Sequence, residues 1–222
     1  MIGLSETFRS AFPGARLGFL AMTGVANPAS HPELEGRKAK VEEDLRKRYG
    51  GLDRQQLGDL PTVRAYEDHY RKFGRSYPLL LQLESVSSKG APLPAVAALM
   101  KAMFMAAVAN QLLTMGHDLA NVVQPLHLSA ATGSEKYLGI RGRDETCVGG
   151  DMMIADGMGT ISSLLQGPDA RTRIWPETTQ VLFTTYAPEG IGSDAVQAHL
   201  RELQAHVLLV SPGAATQALE VL

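Results

Sequence analysis

His117 and Asp118 stand side by side in the run Thr114-Met115-Gly116-His117-Asp118-Leu119, shortly after a single amide, Asn110, at the end of an apolar segment. An imidazole can take or give a proton near neutral pH, and an adjacent carboxylate can orient it or hold a cation. A buried amide left unpaired costs about 1–3 kcal/mol, so Asn110 must bind something. Two arrangements stay open: it braces local backbone, or it lines one pocket with His117 and Asp118. A second cluster lies in Gln166-Gly167-Pro168-Asp169-Ala170-Arg171-Thr172-Arg173, followed by Glu177-Thr178-Thr179. Gly167 there would allow a ligand close to backbone N–H groups. Alternatively, Asp169 and Arg171 form a surface ion pair in a hairpin.

Other chemistries lack their signatures. The sequence contains no Gly-x-Ser-x-Gly elbow, no phosphate-cradling Gly-x-x-x-x-Gly-Lys-Ser/Thr and no His-Glu-x-x-His. Six histidines are scattered without metal-ligand spacing, and His199 and His206 are expected at the surface or edge of the last helix. Neither metal nor cofactor is predicted. The one cysteine, Cys147, has no local partner for nucleophilic work, and it excludes an intramolecular disulfide. The stretch from Tyr66 to Tyr77 mixes rings with Arg71, Lys72 and Arg75. It reads either as a surface for stacking bases or as a helix edge with half-buried rings. A net charge of -2 argues against broad electrostatic capture of nucleic acid while leaving room for a local patch.

The elements that must position these groups can be read from spacing. Residues Arg16–Val25 read as a strand, and Glu33–Tyr49, Thr62–Phe73 and Pro78–Ser88 as helices. Lys89-Gly90-Ala91-Pro92-Leu93-Pro94 leads into the apolar run Ala95–Leu113, predicted as a buried helix rather than a membrane span. Thr114–Leu119 reads as a polar knot. Strands are expected at Leu126–Leu128, Tyr137–Arg141, Met152–Asp156, Ile161–Leu165 and Val181–Tyr186, with turns at Asp156-Gly157 and Gly167-Pro168-Asp169. Ser193-Asp194 would cap a helix running to about His206. The remaining C-terminal residues have no assignment. With 45% hydrophobic residues in 222, one core suffices, and the expectation is a single α+β domain over residues 1–222. No secretory signal is visible at the start, and a lone thiol suits a reducing compartment, so the expected location is cytoplasmic.

The order of these features resembles the B3/B4 domain, the editing domain of the phenylalanyl-tRNA synthetase beta subunit, in a free-standing form. The resemblance rests on Tyr70-Arg71-Lys72-Phe73-Gly74, Lys89–Pro94, Asn110, Gly116-His117-Asp118-Leu119, Asp156-Gly157-Met158-Gly159, Gly167–Thr172 and Thr178-Thr179, over about residues 10–205. It implies a compact α+β fold, a β-sandwich-like core with helices packed on it. It also implies hydrolysis of the ester of a misacylated tRNA, chiefly one carrying tyrosine, by a positioned water without metal or protein nucleophile. Under it, His117, Asp169 and Thr179 would be catalytic. Asn110, Asp118, Gly167, Ala170, Arg171 and Thr178 would bind substrate. The alternative it leaves is a non-catalytic module that binds an amino acid or aminoacyl-tRNA. Residues 79–88 depart from the family, which carries an arginine pair there.

Overall fold

In chain order, the computed structural model, which describes residues 2–222, runs β1 (Ile2–Leu4), α1 (Glu6–Ala11), β2 (Arg16–Thr23), α2 (Pro32–Tyr49), α3 (Arg54–Gly58), α4 (Pro61–Arg71), α5 (Pro78–Ser87) and α6 (Ala98–Asn110). Then come β3 (Thr114–Asp118), β4 (Leu126–Ala130), β5 (Lys136–Leu138), β6 (Asp144–Thr146), β7 (Met152–Asp156), β8 (Gly159–Ser163), β9 (Gly167–Pro168), β10 (Gln180–Ala187), α7 (Ser193–Val210) and β11 (Ala215–Val221). The helix-rich first half and strand-rich second half make an α+β fold, as expected.

Local chemistry sets many of the boundaries. Prolines open α2, α4 and α5, where a missing N–H costs nothing. The Ser5 hydroxyl accepts from Phe8 N at 3.1 Å to start α1. The short α3, missed by spacing, exists because Asp53 and Gln56 form a reciprocal capping box. The apolar run supplies α6 only from Ala98, where the N–H groups of Ala98 and Leu99 donate to Pro28 O and Asn27 Oδ1, both at 2.9 Å. It stops at Asn110, where Gln111 takes φ 52°.

Two sheets face each other. One has the order β11-β2-β10-β3 and is antiparallel throughout; the other has the order β1-β4-β7-β8-β9, with only β1–β4 parallel. The Tyr186 hydroxyl on β10 bonds that of Ser162 on β8 at 2.7 Å and ties the inner faces together. Helix α7 packs on the outer face of the first sheet, and α6 and α2 pack on α7. One continuous apolar cluster joins the helices to both sheets. This is the sandwich-with-helices arrangement that the resemblance implies.

Several expectations change. Thr114–Asp118 is a strand rather than a polar knot: all five residues are buried, and no alternation betrays the strand because both faces are covered. Gly167-Pro168-Asp169 is not a free turn. Gly167 and Pro168 pair with β8, and Asp169 bridges to Gly139. Helix α7 has Gly192 rather than a serine at its N-cap and continues past His206 to Val210. The unassigned C-terminus is β11, an outer strand on β2. His199 and His206 are buried, not at the surface.

Candidate functional site

The edge strand β3 organises the site. Its residues alternate between the two faces of the sheet. Register with β10 pairs Leu182 with His117 and Thr185 with Thr114. Thr114 bonds His199 of α7 at 2.7 Å, so that face looks toward the helices, and His117 looks the other way into the sandwich. Asn110 belongs to the helix side: its amide donates to Glu202 Oε2 at 2.7 Å and to Ala106 O at 3.2 Å. Asn110 and His117 therefore do not share a pocket. The bond to Ala106 O braces local backbone, one of the two readings of this amide, and the bond to Glu202 adds a link to α7. Asp118 lies on the same face as Thr114 but about 13 Å along the strand.

The segment 169–178 wraps over the edge of β3. Asp118 N donates to Thr172 O at 2.6 Å, locking the segment to the strand. Before that point Thr172 sits over the inner face, with its Oγ1 2.8 Å from His117 Nδ1. After it, Ile174 lies on Gly116 on the outer face. A Cβ on Gly116 would come 2.6 Å from Ile174 Cδ1, so glycine lets the Ile174 side chain lie directly on the strand. The wrap is closed by Thr178, which donates to Asp118 Oδ2 at 2.8 Å and accepts from Trp175 N at 2.9 Å. Asp118 Oδ1 accepts from Ala120 N at 3.0 Å. Asp118 and Thr178 are thus occupied as a brace.

On the inner face the polar groups form a chain. The Thr172 hydroxyl donates to Asp169 Oδ1, and Thr172 N donates to the same oxygen at 3.1 Å. With its proton committed to Asp169, that hydroxyl accepts from His117, which places the imidazole proton on Nδ1. His117 Nε2 is then an acceptor, shielded from solvent and without a partner among the described residues. Burial, and then the Arg171 charge, lowers the His117 pKa to about 4, so the ring is neutral at pH 7. Burial raises the Asp169 carboxyl above its usual range, against the opposing pull of the Thr172 bonds and Arg171.

Arg171 connects Asp169 to a second carboxylate. Its Nε is 3.7 Å from Asp169 Oδ2, and its Nη2 lies 2.8 and 2.9 Å from the two oxygens of Asp156. For Asp156, burial pushes the pKa up, but N–H bonds from Val123 and Met158 together with Arg171 leave it below the usual range. Arg171 also donates to Asn121 O at 2.6 Å. The predicted ion pair of Asp169 with Arg171 is present, though the buried acid sits in a network rather than on an open hairpin.

Asp169, Ala170 and Arg171 line one wall of a groove of about 400 Å³, with Lys136, Tyr137, Leu138, Met158, Gly159 and Thr160 completing it. The wall is stitched to β5 through Ala170 N to Leu138 O at 2.8 Å and Ile140 N to Pro168 O at 3.0 Å. The Tyr137 hydroxyl donates to Gly167 O at 2.8 Å. Gly167 itself has φ +91°, in the left-handed region that favours glycine. Leu138 and Met158 are exposed on the rim. Thr179 is also exposed, with its carbonyl accepting from Val25 N, and it does not line the groove. Lys136 and Tyr137 carry no signal in the sequence, because their hairpin meets Asp169 only through tertiary pairing; Met158 stands in the quoted Asp156–Gly159 motif, but its place on the groove needs that pairing too. Thr172 had a signal, being part of the quoted motif, but a role for its hydroxyl needs the geometry.

The rings of Tyr66, Tyr70 and Tyr77 are core residues: Tyr66 stacks on Tyr77 with centroids 4.3 Å apart, and Tyr70 donates to Leu164 O at 2.9 Å. They offer no face to a base. Cys147 is buried, and desolvation raises its thiol to about 11, which opposes nucleophilic use. Among the described residues, no helix is long and apolar enough to cross a membrane.

No protein-family model matches the chain, and no curated protein matches it. Among solved structures, the fold is similar to that of an N-terminal fragment of the phenylalanyl-tRNA synthetase beta subunit from Pyrococcus horikoshii, with a TM-score of 0.50 and 10% sequence identity. The match covers 97% of this chain and 50% of that one, so this chain spans about half the length of the chain it matches. At this identity the likeness is one of fold.

Proposed function

We propose that the groove beside Asp169 and Arg171 receives the aminoacyl end of a charged tRNA, and that the protein hydrolyses the ester when the amino acid is wrongly attached. The observation that carries this reading is the state of Asp169. One carboxylate oxygen is fixed by Thr172, while the other faces Arg171 at the wall of a groove of about 400 Å³. An aminoacyl ester differs from an uncharged tRNA end by an α-ammonium and a side chain. The second carboxylate oxygen, held only by Arg171 at 3.7 Å, suits the ammonium, and Tyr137, Leu138 and Met158 offer a mixed apolar wall for the side chain. Arg171 and Lys136 suit the phosphate backbone. Gly167 and Ala170 hold the wall in register. His117 acts in this reading as a positioning residue, fixing the Thr172 hydroxyl and through it Asp169. Hydrolysis then rests on an oriented water attacking the ester carbonyl, with the tRNA hydroxyl leaving.

A second reading, binding of an amino acid or aminoacyl-tRNA without turnover, is favoured by one observation. The acceptor nitrogen of His117 is shielded, so that imidazole does not reach a water in the groove. The two readings separate in one assay. Purified protein is mixed with tRNA carrying a mismatched tyrosine and with correctly charged controls, and loss of the ester is followed. Selective loss with the mischarged tRNA, abolished in Asp169→Asn, supports the hydrolase. Saturable binding with no ester loss supports the binding module. Neither binding nor loss defeats both.

A further inference from the structure

The wrapped segment carries the single tryptophan of the chain, Trp175, which is 41% exposed although most other rings are buried. The Arg173 guanidinium lies over the indole, 3.4 Å from the ring centroid. The pair is held firmly. Trp175 O accepts from Asn27 Nδ2 at 2.7 Å, Asn27 Oδ1 accepts from Leu99 N at 2.9 Å, and Trp175 N donates to Thr178. Arg173 Nε is buried without a hydrogen-bond partner among the described residues, so packing on the ring, rather than an ion pair, holds this cation. An exposed indole in a fixed backbone, backed by a guanidinium, is a poor choice for solubility. It is a suitable surface for a flat, electron-rich heterocycle joined to a phosphate.

We infer that Arg173 and Trp175 form a stacking platform for a nucleobase of a single-stranded RNA end. This rests on the reading of the groove given above, and it adds the site that would hold the nucleotide rather than the amino acid. Trp175 follows Arg171 by four residues, so their Cα atoms are at most about 14 Å apart. One short strand can therefore touch both. Its terminal ester would lie in the groove, and a base would rest on the indole after the backbone crosses the edge of β3. Arg171 and Arg173 flank that path. Stacking is tolerant of base identity, so the platform contributes affinity and direction rather than sequence preference.

The test uses the indole as its own probe. The full chain is titrated with a short uncharged RNA ending in CCA while Trp175 emission is recorded, and binding of the same RNA, fluorescein-labelled, is followed by anisotropy. The platform predicts saturable quenching of Trp175. It also predicts that Trp175→Ala weakens binding about 5- to 150-fold while Trp175→Phe keeps most of it, the range expected for one stacked base. Arg173→Ala should weaken binding and flatten its salt dependence. Unchanged emission at RNA concentrations that saturate the anisotropy signal would overturn the platform, as would equal affinity for Trp175→Ala. No RNA binding at all would also overturn it, leaving Trp175 to a protein partner. Quenching without ester hydrolysis keeps the platform and removes the hydrolase. Hydrolysis unaffected by Trp175→Ala does the reverse.

Discussion

Replacing Thr172 by valine tests the buried chain that holds the groove, since valine keeps the shape and removes only the hydroxyl. In the native protein that oxygen accepts from His117 Nδ1 at 2.8 Å and donates to Asp169 Oδ1. Without it, the His117 N–H is left unpaired in a fully buried position, at a cost of about 1–3 kcal/mol. Asp169 loses a hydrogen bond to a carboxylate, itself about 1.5–3 kcal/mol, but keeps the backbone donor Thr172 N at 3.1 Å and the Arg171 charge. Partial compensation and the added apolar methyl bring the expected net loss to about 2–4 kcal/mol. For a chain of this size, each kcal/mol moves the melting temperature by about 2–4 °C. Thermal unfolding followed by circular dichroism should therefore show a fall of about 4–16 °C in Thr172→Val, and much less in Thr172→Ser, which restores the hydroxyl. If valine and serine variants melt together, or if valine melts within about 2 °C of the native protein, the hydroxyl does not carry the network. The account of Asp169 then fails with it.

Two further outcomes follow from the same structure. His117 and His199 titrate near 4 and 3 in the fold, both depressed by burial from 6.5. The unfolded chain therefore binds more protons below about pH 6.5, and stability is lost as pH falls toward 4. At pH 5 the two together cost on the order of 4 kcal/mol, offset in part by Asp169, whose raised pKa acts in the opposite sense. The urea midpoint should be lower at pH 5 than at pH 7, and an equal or higher midpoint contradicts the assignment. Gly116→Ala places a methyl 2.6 Å from Ile174 Cδ1, the tip of a flexible side chain, so the Ile174 side chain on the wrap must shift. We expect a loss of about 1–3 kcal/mol with a change in Trp175 emission, and an unaltered melt and spectrum would show that the wrap tolerates the methyl.

Much of this protein is legible in its residue order. The helices α2, α4, α5 and α6 and the strands β2, β7 and β10 follow from apolar spacing and from prolines and glycines at their ends, which are local causes. The α+β division follows too. The tertiary structure alone decides the site. Strand β3 is polar in sequence and becomes a strand only because both of its faces are covered. Asn110 and His117, near in sequence, part because strand alternation sends Thr114 and His117 to opposite faces. Lys136 and Met158, distant from Asp169 in sequence, meet it because β9 pairs with β8 and Asp169 bridges to Gly139 beside β5. Local spacing is set by the chain's own stereochemistry and is readable from it. Which side chains converge depends on register and on what packs over an edge, and those are properties of the whole fold.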